Sequence, residues 1–208
     1  MGKIYDKLIE LNRGLVHVTE FNNLESILEN GLLSLDELEN QNMEVKYSSS
    51  QDSRDIDKHW GLSKYVRLAY TPFYDMISAR IGYYKTLKNP IILLISAEVL
   101  KFTGIKFTNK NAICNDAILY DEDEIFDTLD FEKIYLPRDT DNYNLEEYKN
   151  ARQSEILIPQ KIDIQYFNKI IIQTGIQYKS LNVYNINIME YDIINWLSIW
   201  KNKEGKNG

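Results

Sequence analysis

The chain has 208 residues, 44% of them apolar, with a formal net charge of −7 and a single cysteine, Cys114. That is enough chain for one sizeable core, and the acidic balance argues against nucleic-acid binding through global charge while leaving a local basic groove open. One thiol excludes an internal disulfide framework and a cysteine-based metal site, and points to a reducing compartment.

Residues 1–11 read as a short helix or an extended lead-in. Leu15 to Thr19 alternates and is β-branched, as a strand does. Asn22 or Asn23 is placed to cap a helix carrying Leu24, Ile27 and Leu28, which Asn30-Gly31 ends. Leu35 to Leu38 suggests another helical turn. Residues 41–64 are polar and read as a loop, with a short helix near Ser53 to Lys58; loops of this length are functional or disordered. Val66 to Tyr70 is a predicted strand stopped by Pro72, and Met76 to Leu87 a predicted helix. Ile91 to Ser96 reads as a fully buried strand, Ser96 to Leu100 as a turn or short helix, and Ile105 to Thr108 as a short strand. Helical spacing then recurs at Asp123 to Leu129 and Leu145 to Arg152, and strands are expected at Glu155 to Ile158, Tyr166 to Gln173 and Val183 to Met189. Tyr191 to Trp200 is a final predicted helix, and residues 202–208 are expected to fray.

Strands and helices follow one another without regular βαβ alternation, which predicts an α+β fold with an antiparallel or mixed sheet, a single domain over residues 1–201. No glycine-rich dinucleotide fingerprint or phosphate-binding P-loop is present. The N-terminus lacks a long apolar run, and the longest such run, Ile91 to Ile95, is too short to span a bilayer, so a cytoplasmic protein is expected. The acidity is concentrated in one place. Residues 121–132 carry seven acids and no Lys or Arg, and the rest of the chain is close to neutral.

Glu155 is the most informative acid, because it enters directly from a polar segment into the apolar run Ile156-Leu157-Ile158. A carboxylate at the lip of a core is costly to desolvate, so it has a partner or a function, unless it simply faces water at a strand edge. His17 and Thr19 share a strand face by alternation, and His17 reads equally as a satisfied core histidine. His59 sits in the polar segment beside Trp60 and reads as a solvated or stacking residue. Two histidines and one cysteine at 17, 59 and 114 have no metal-ligand spacing.

Residues 15–32, from Leu15-Val16-His17-Val18-Thr19 through Asn23-Leu24 to Gly31-Leu32, resemble the opening of the DarT DNA ADP-ribosyltransferases. In that family a His-x-Thr strand is followed by Asn-Leu and a helix ending in Gly-Leu. Asp52-Ser53-Arg54 with Tyr65 to Tyr74 is similar to its arginine segment and aromatic strand. Phe107-Thr108-Asn109-Lys110-Asn111-Ala112 is similar to its Thr-Asp-x-Asn-Ala turn, and Arg152-Gln153-Ser154-Glu155-Ile156-Leu157-Ile158 to its Arg-Gln-Ala-Glu-x-Leu-Val. The resemblance covers about residues 12–175, in order. The chain departs from it where Asp75-Met76-Ile77-Ser78-Ala79-Arg80 stands in place of an Arg and Pro-Met.

The resemblance implies an ADP-ribosyltransferase-like fold with central sheets flanked by helices around an NAD cleft, NAD as co-substrate, and no metal. It implies Glu155 and Arg54 as catalytic residues, Arg54 also holding the pyrophosphate, with His17, Thr19, Asn23 and Tyr70 around NAD. For Asn23 the capping role alone also serves. Arg67, Tyr74, Arg80 and Arg152 are the implied substrate contacts, Arg152 meeting the base or pairing with an acid. Tyr70, Phe73, Tyr74, Tyr83 and Tyr84 offer stacking surfaces or core packing, and Arg67, Arg80, Lys85, Lys88, Arg138, Lys149 and Arg152 a phosphate path. The implied acceptor is single-stranded DNA, the implied role that of a toxin countered by a macrodomain antitoxin, and a monomer is expected. RNA or protein as acceptor, and a non-catalytic NAD or nucleic-acid binding module, remain as alternatives.

Overall fold

The computed structural model describes residues 2–46, 51–73, 75–137, 140–177 and 186–198. Tyr74, Arg138, residues 183–185 of the predicted strand, residues 199–200 of the predicted last helix and the 202–208 tail lie outside them.

Seven strands form one sheet in the order β5 (Lys106–Thr108), β6 (Glu155–Pro159), β3 (Tyr65–Ala69), β1 (Leu15–Glu20), β4 (Pro90–Ile95), β8 (Phe167–Gln173) and β9 (Asn187–Tyr191). All neighbours are antiparallel except β8 and β9. A two-residue pair, β2 (Leu32–Leu33) with β7 (Lys161–Ile162), was not expected, since two residues carry no periodicity.

β4 lies inside the sheet between β1 and β8, and its run Ile91-Ile92-Leu93 is buried on both faces. On one face Leu15, Leu68, Leu93, Ile156 and Ile170 pack with Ile4 and Leu8 of α1 (Lys3–Glu10) and Leu24 and Leu28 of α2 (Leu24–Asn30). On the other, Val16, Val18, Ile92 and Ile171 meet Ile77 of α5 (Asp75–Gly82) and Ile193 and Leu197 of α9 (Ile193–Ser198). The period-2 pattern of the strands thus divides into two apolar layers of a helix-covered sheet.

α3 (Leu35–Asn40) is capped by Ser34, whose hydroxyl accepts the Glu37 N–H. The polar segment 41–64 contains a longer helix than expected, α4 (Gln51–His59). α5 is shorter than its periodicity suggests. Tyr83 and Tyr84 both bond to the Ala79 carbonyl and Lys85 takes φ 53°, so the chain turns out of the helix. The acidic segment forms α6 (Glu122–Ile125) and the unanticipated α7 (Phe131–Ile134), and within it Oε1 of Glu122 accepts the Ile4 N–H at 2.6 Å. α1 has no side-chain cap of its own, so a carboxylate from across the fold supplies one. α8 (Glu146–Arg152) then leads directly into β6.

Candidate active site

The sheet is not continuous across its middle. β1 makes six pairs with β4, and β3 makes five with β6, but β1 and β3 share one, Val16 with Ala69. Beyond that pair the seam opens into a cavity of 210 Å³, lined from β1 by His17 and Thr19 and from β3 by Tyr65 and Arg67. Ser53 and Asp57 of α4, Arg80 of α5, Asn111 and Glu155 complete its polar side, and Ile27, Leu32, Leu35 and Met76 of α5 its apolar side. A side-chain hydrogen bond crosses the seam: Nδ1 of His17 lies 3.0 Å from the Arg67 carbonyl oxygen. A carbonyl only accepts, so Nδ1 carries the proton, and in the neutral ring Nε2 is the acceptor. Burial pushes the His17 pKa down, the Arg67 carbonyl pulls it back up, and the Arg80 charge lowers it further.

Glu155 stands at the first position of β6, paired with Ala69 on one side and Thr108 on the other. Ala69 is also the partner of Val16, so one transverse row runs from β1 to the carboxylate and fixes its position with strand backbone. Oε2 of Glu155 accepts Nη2 of Arg67 at 2.5 Å and the Ala112 N–H at 2.8 Å. Among the described residues both of these bonds fall on Oε2, which leaves Oε1 for a ligand. Arg67 also donates Nη1 to Asp57 at 2.9 Å and Nη2 to Oδ1 of Asn111 at 2.8 Å. The guanidinium therefore ties two carboxylates and an amide together, with side-chain exposures of 21% for Arg67, 16% for Glu155 and 9% for Asp57. Burial raises the Asp57 pKa, Arg67 opposes that rise and the Glu155 charge adds to it.

The structure brings His17, Thr19, Asn23, Arg67, Arg80 and Glu155 together around one cavity. Asn23 does not cap α2. Its amide donates to Thr19 Oγ1 at 3.0 Å and to the Lys46 carbonyl at 2.9 Å, and its oxygen accepts the Lys46 N–H at 2.7 Å. It pins the segment after α3 to β1, which sets the edge of the cavity.

Other expected site residues lie elsewhere. Tyr70 alternates onto the opposite face and is 2% exposed, its ring edge-on to Phe131 at 5.9 Å, so it packs in the core rather than against a cofactor. Arg152 is 1% exposed, its guanidinium 3.4 Å from the Tyr143 ring centroid and its Nη2 donating to the Tyr143 carbonyl at 2.8 Å. Tyr143 in turn donates its hydroxyl to the Phe73 carbonyl, so Arg152 secures the segment before Glu155 rather than reaching a base. Phe73 packs against Trp196 at 4.5 Å. Arg54 is bonded to Gln51 at 2.5 Å and is not among the residues lining the cavity, whereas Ser53 and Asp57, one helical turn apart, are. Arg67 is an internal ion-pair partner rather than part of a phosphate path.

Sequence reasoning gave no role to Asp57 or Asn111. The only signal for Asp57 is its i,i+4 spacing from Ser53 in a helix with almost no apolar residue. Asn111 lies inside the turn from Phe107 to Ala112, but its contact with Arg67 spans 44 residues and leaves no local trace. Among the described residues, no three His, Cys, Asp or Glu side chains gather as a metal site, and no helix is long and apolar enough to cross a membrane.

A family model described as ssDNA thymidine ADP-ribosyltransferase, DarT, matches residues 16–193. A DNA ADP-ribosyl transferase–DNA ADP-ribosyl glycohydrolase fusion protein of Thermosipho africanus is 26% identical over 167 residues, 77% of this chain. The match covers 42% of that protein, so the chain spans less than half the length of this relative. Among solved structures, Thermosipho africanus DarTG in complex with ADP-ribose superposes with a TM-score of 0.69 at 21% identity, over 88% of this chain and 50% of that one. Thermus sp. 2.9 DarT in complex with ADP-ribosylated ssDNA gives 0.66 at 16% identity, over 88% and 95%. The same Thermus protein in complex with NAD+ gives 0.60 at 16% identity, over 88% and 96%. The expected α+β fold is the fold of these ADP-ribosyltransferases.

Proposed function

The chain belongs to the DarT family, and we propose that it transfers ADP-ribose from NAD to a base of single-stranded DNA. The observation that carries this reading is the carboxylate of Glu155, which lines the cavity and is held at the lip of the seam by strand backbone, Arg67 and the Ala112 N–H. The residues fit a dinucleotide. Past Val16 the edge of β1 has no ladder partner from β3, which offers backbone groups to a planar carboxamide, and Ile27, Leu32 and Leu35 offer an apolar wall to a ring.

Bound NAD supplies a ribose C1′ whose bond to nicotinamide breaks through an oxocarbenium-like transition state, as in glycoside cleavage. Glu155 accepts a hydrogen bond from the ribose 2′-hydroxyl and stabilises the positive charge as it develops. One well-aimed group of this kind contributes about 3–4 kcal/mol, roughly 10²–10³ in rate. Arg67 keeps the carboxylate from rotating away, and Asp57 holds the far side of Arg67. His17 is neutral at pH 7 and offers Nε2 as an acceptor to an amide or hydroxyl. Arg80 and Arg54 are assigned to phosphate. Catalytic function for Glu155 and Arg54, and NAD contacts for His17, Thr19 and Asn23, stand as assignments of this proposal. The fused glycohydrolase of the Thermosipho relative supports a toxin whose mark a partner enzyme removes.

The test is incubation of the chain with labelled NAD and single-stranded DNA, RNA or whole-cell protein. Label is expected on DNA, and Glu155→Ala is expected to lose transfer at least 10²-fold while keeping NAD affinity within a fewfold. Transfer by Glu155→Ala at the wild-type rate overturns the mechanism, and label on RNA or protein alone overturns the acceptor.

A further inference from the structure

The exposed aromatic pair at the end of α5 plays no part in the transfer chemistry at the seam. Tyr83 is 78% exposed and Tyr84 60%, the two most exposed large apolar side chains among the described residues. Their rings meet edge to face, centroids 4.9 Å apart, so each braces the other and neither is folded into the core. Exposing two adjacent aromatic rings forfeits burial that both would otherwise gain.

Their placement follows from the helix. Met76 and Arg80 of α5 line the cavity, and they are separated by one turn. The Tyr83 N–H still bonds to the Ala79 carbonyl, so helical geometry continues to residue 83, and Tyr83 falls on the same stripe as Arg80 one turn further out. The positive φ of Lys85 then turns the chain and leaves both rings at the outer end of that stripe. The local charge is opposite to that of the whole chain. Residues 76–97 contain Arg80, Lys85 and Lys88 and no acid, in a protein of net charge −7. Lys85 and Lys88 are exposed beside the pair.

We propose that Tyr83 and Tyr84 form a stacking platform for a base that flanks the modified nucleotide, with Lys85 and Lys88 against the neighbouring phosphates. Aromatic faces with exposed cations are what an anionic, unstacked strand takes up, the Glu20 carboxylate on the Lys88 and Asn89 N–H groups being fully buried, and a protein partner of the acidic chain would gain little from this combination. With NAD in the cavity, the acceptor base meets the ribose at its mouth, so a flanking nucleotide lies over the rim, and the Arg80 stripe leads from there to these rings. The inference rests on DNA as acceptor, and the experiment separates the two.

Steady-state transfer is measured on a single-stranded oligodeoxynucleotide with one thymidine, and on copies carrying an abasic site on either side of it. Wild type is expected to show a roughly tenfold or greater rise in oligonucleotide KM with an abasic site on one of the two sides. The Tyr83→Ala/Tyr84→Ala double variant is expected to match that raised KM on the intact strand and to lose the discrimination, with KM for NAD unchanged. Tyr83→Phe/Tyr84→Phe keeps both faces and is expected to restore wild-type behaviour, which excludes a folding defect. Lys85→Ala and Lys88→Ala are each expected to reduce the slope of log affinity against log salt by about 0.7. An unchanged KM and retained abasic discrimination in the double alanine variant overturn the platform while leaving the acceptor intact. Absence of transfer to any oligonucleotide by the wild type overturns the acceptor and the platform with it.

Discussion

Replacing Arg67 by methionine tests whether one guanidinium organises the seam. Methionine keeps the unbranched stem and removes the charge, so packing is preserved to first order. At least three bonds are lost, to Asp57, Asn111 and Glu155. Bonds to charged groups contribute about 1.5–3 kcal/mol each, but the partners border an open cavity and regain part of this by hydration. Removing one member of a buried ion pair costs roughly 3–5 kcal/mol, and with Arg67 21% exposed the lower end applies, about 3 kcal/mol. For a chain of this size about 2–4 °C accompanies each kcal/mol, so thermal unfolding at pH 7 should fall by roughly 6–12 °C. The deficit should also depend on pH. Arg67 is the main influence opposing the raised pKa of Asp57, so its removal raises that pKa further. Protonation of Asp57 then relieves the uncompensated charge at a higher pH than in the wild type, and the deficit shrinks as pH falls from neutral into the acid range. Asp57→Asn completes a double-mutant cycle, in which a coupling of about 1–3 kcal/mol is expected. A deficit that is flat across this range, or two substitutions that add to within about 0.5 kcal/mol, would refute the account.

The other two predictions concern the edges of the same cavity. The folded-state pKa of His17 is lowered by burial, so its contribution to stability is present above its ordinary value of about 6.5 and is lost as pH falls below it. His17→Gln should therefore lose less stability than wild type between pH 7 and 5, by up to about 1.4 kcal/mol per pH unit, and parallel urea midpoints over that range would contradict this. Gly31 ends α2 at φ 83° and ψ 177°, and a Cβ there would lie 2.7 Å from the Ile162 carbonyl oxygen. Gly31→Ala combines a glycine-only conformation with a backbone clash and is expected to cost about 2–4 kcal/mol in urea unfolding.

The legible parts of the fold are those that local physics decides. Leu15 to Thr19, Ile91 to Ile95 and Glu155 to Ile158 carry β-branched alternation or continuous apolar runs, and each is a strand where expected. Glu155 could be singled out because an acid at the first position of such a run must resolve its desolvation. The rest of the site is built from contacts whose partners are remote in the chain. Arg67 meets Glu155 across 88 residues and Asn111 across 44, and no periodicity encodes either. The same limit explains Arg152 and Tyr70. Both belong to suggestive motifs, but alternation places Tyr70 on the core face and Tyr143 takes up Arg152, and neither outcome is visible without the partner strands and loops.

The seam itself accounts for why the cluster takes this form. An acidic chain that accommodates an anionic dinucleotide and an anionic strand in one cleft faces repulsion at every step, and a catalytic carboxylate adds to it. Asp57 and Glu155 line the cavity with Lys46, Arg67 and Arg80, so its lining carries one net positive charge although the chain as a whole carries −7. Shared between Glu155 and Asp57, Arg67 leaves that three-residue group with one net negative charge, the sign that the proposed transfer calls for beside an oxocarbenium ion. Oε2 of Glu155 is held by a cation and a backbone N–H. Asp57 is thereby part of the charge balance around Arg67 and Glu155, and the coupling measured in the Arg67 and Asp57 cycle is a direct reading of that pairing.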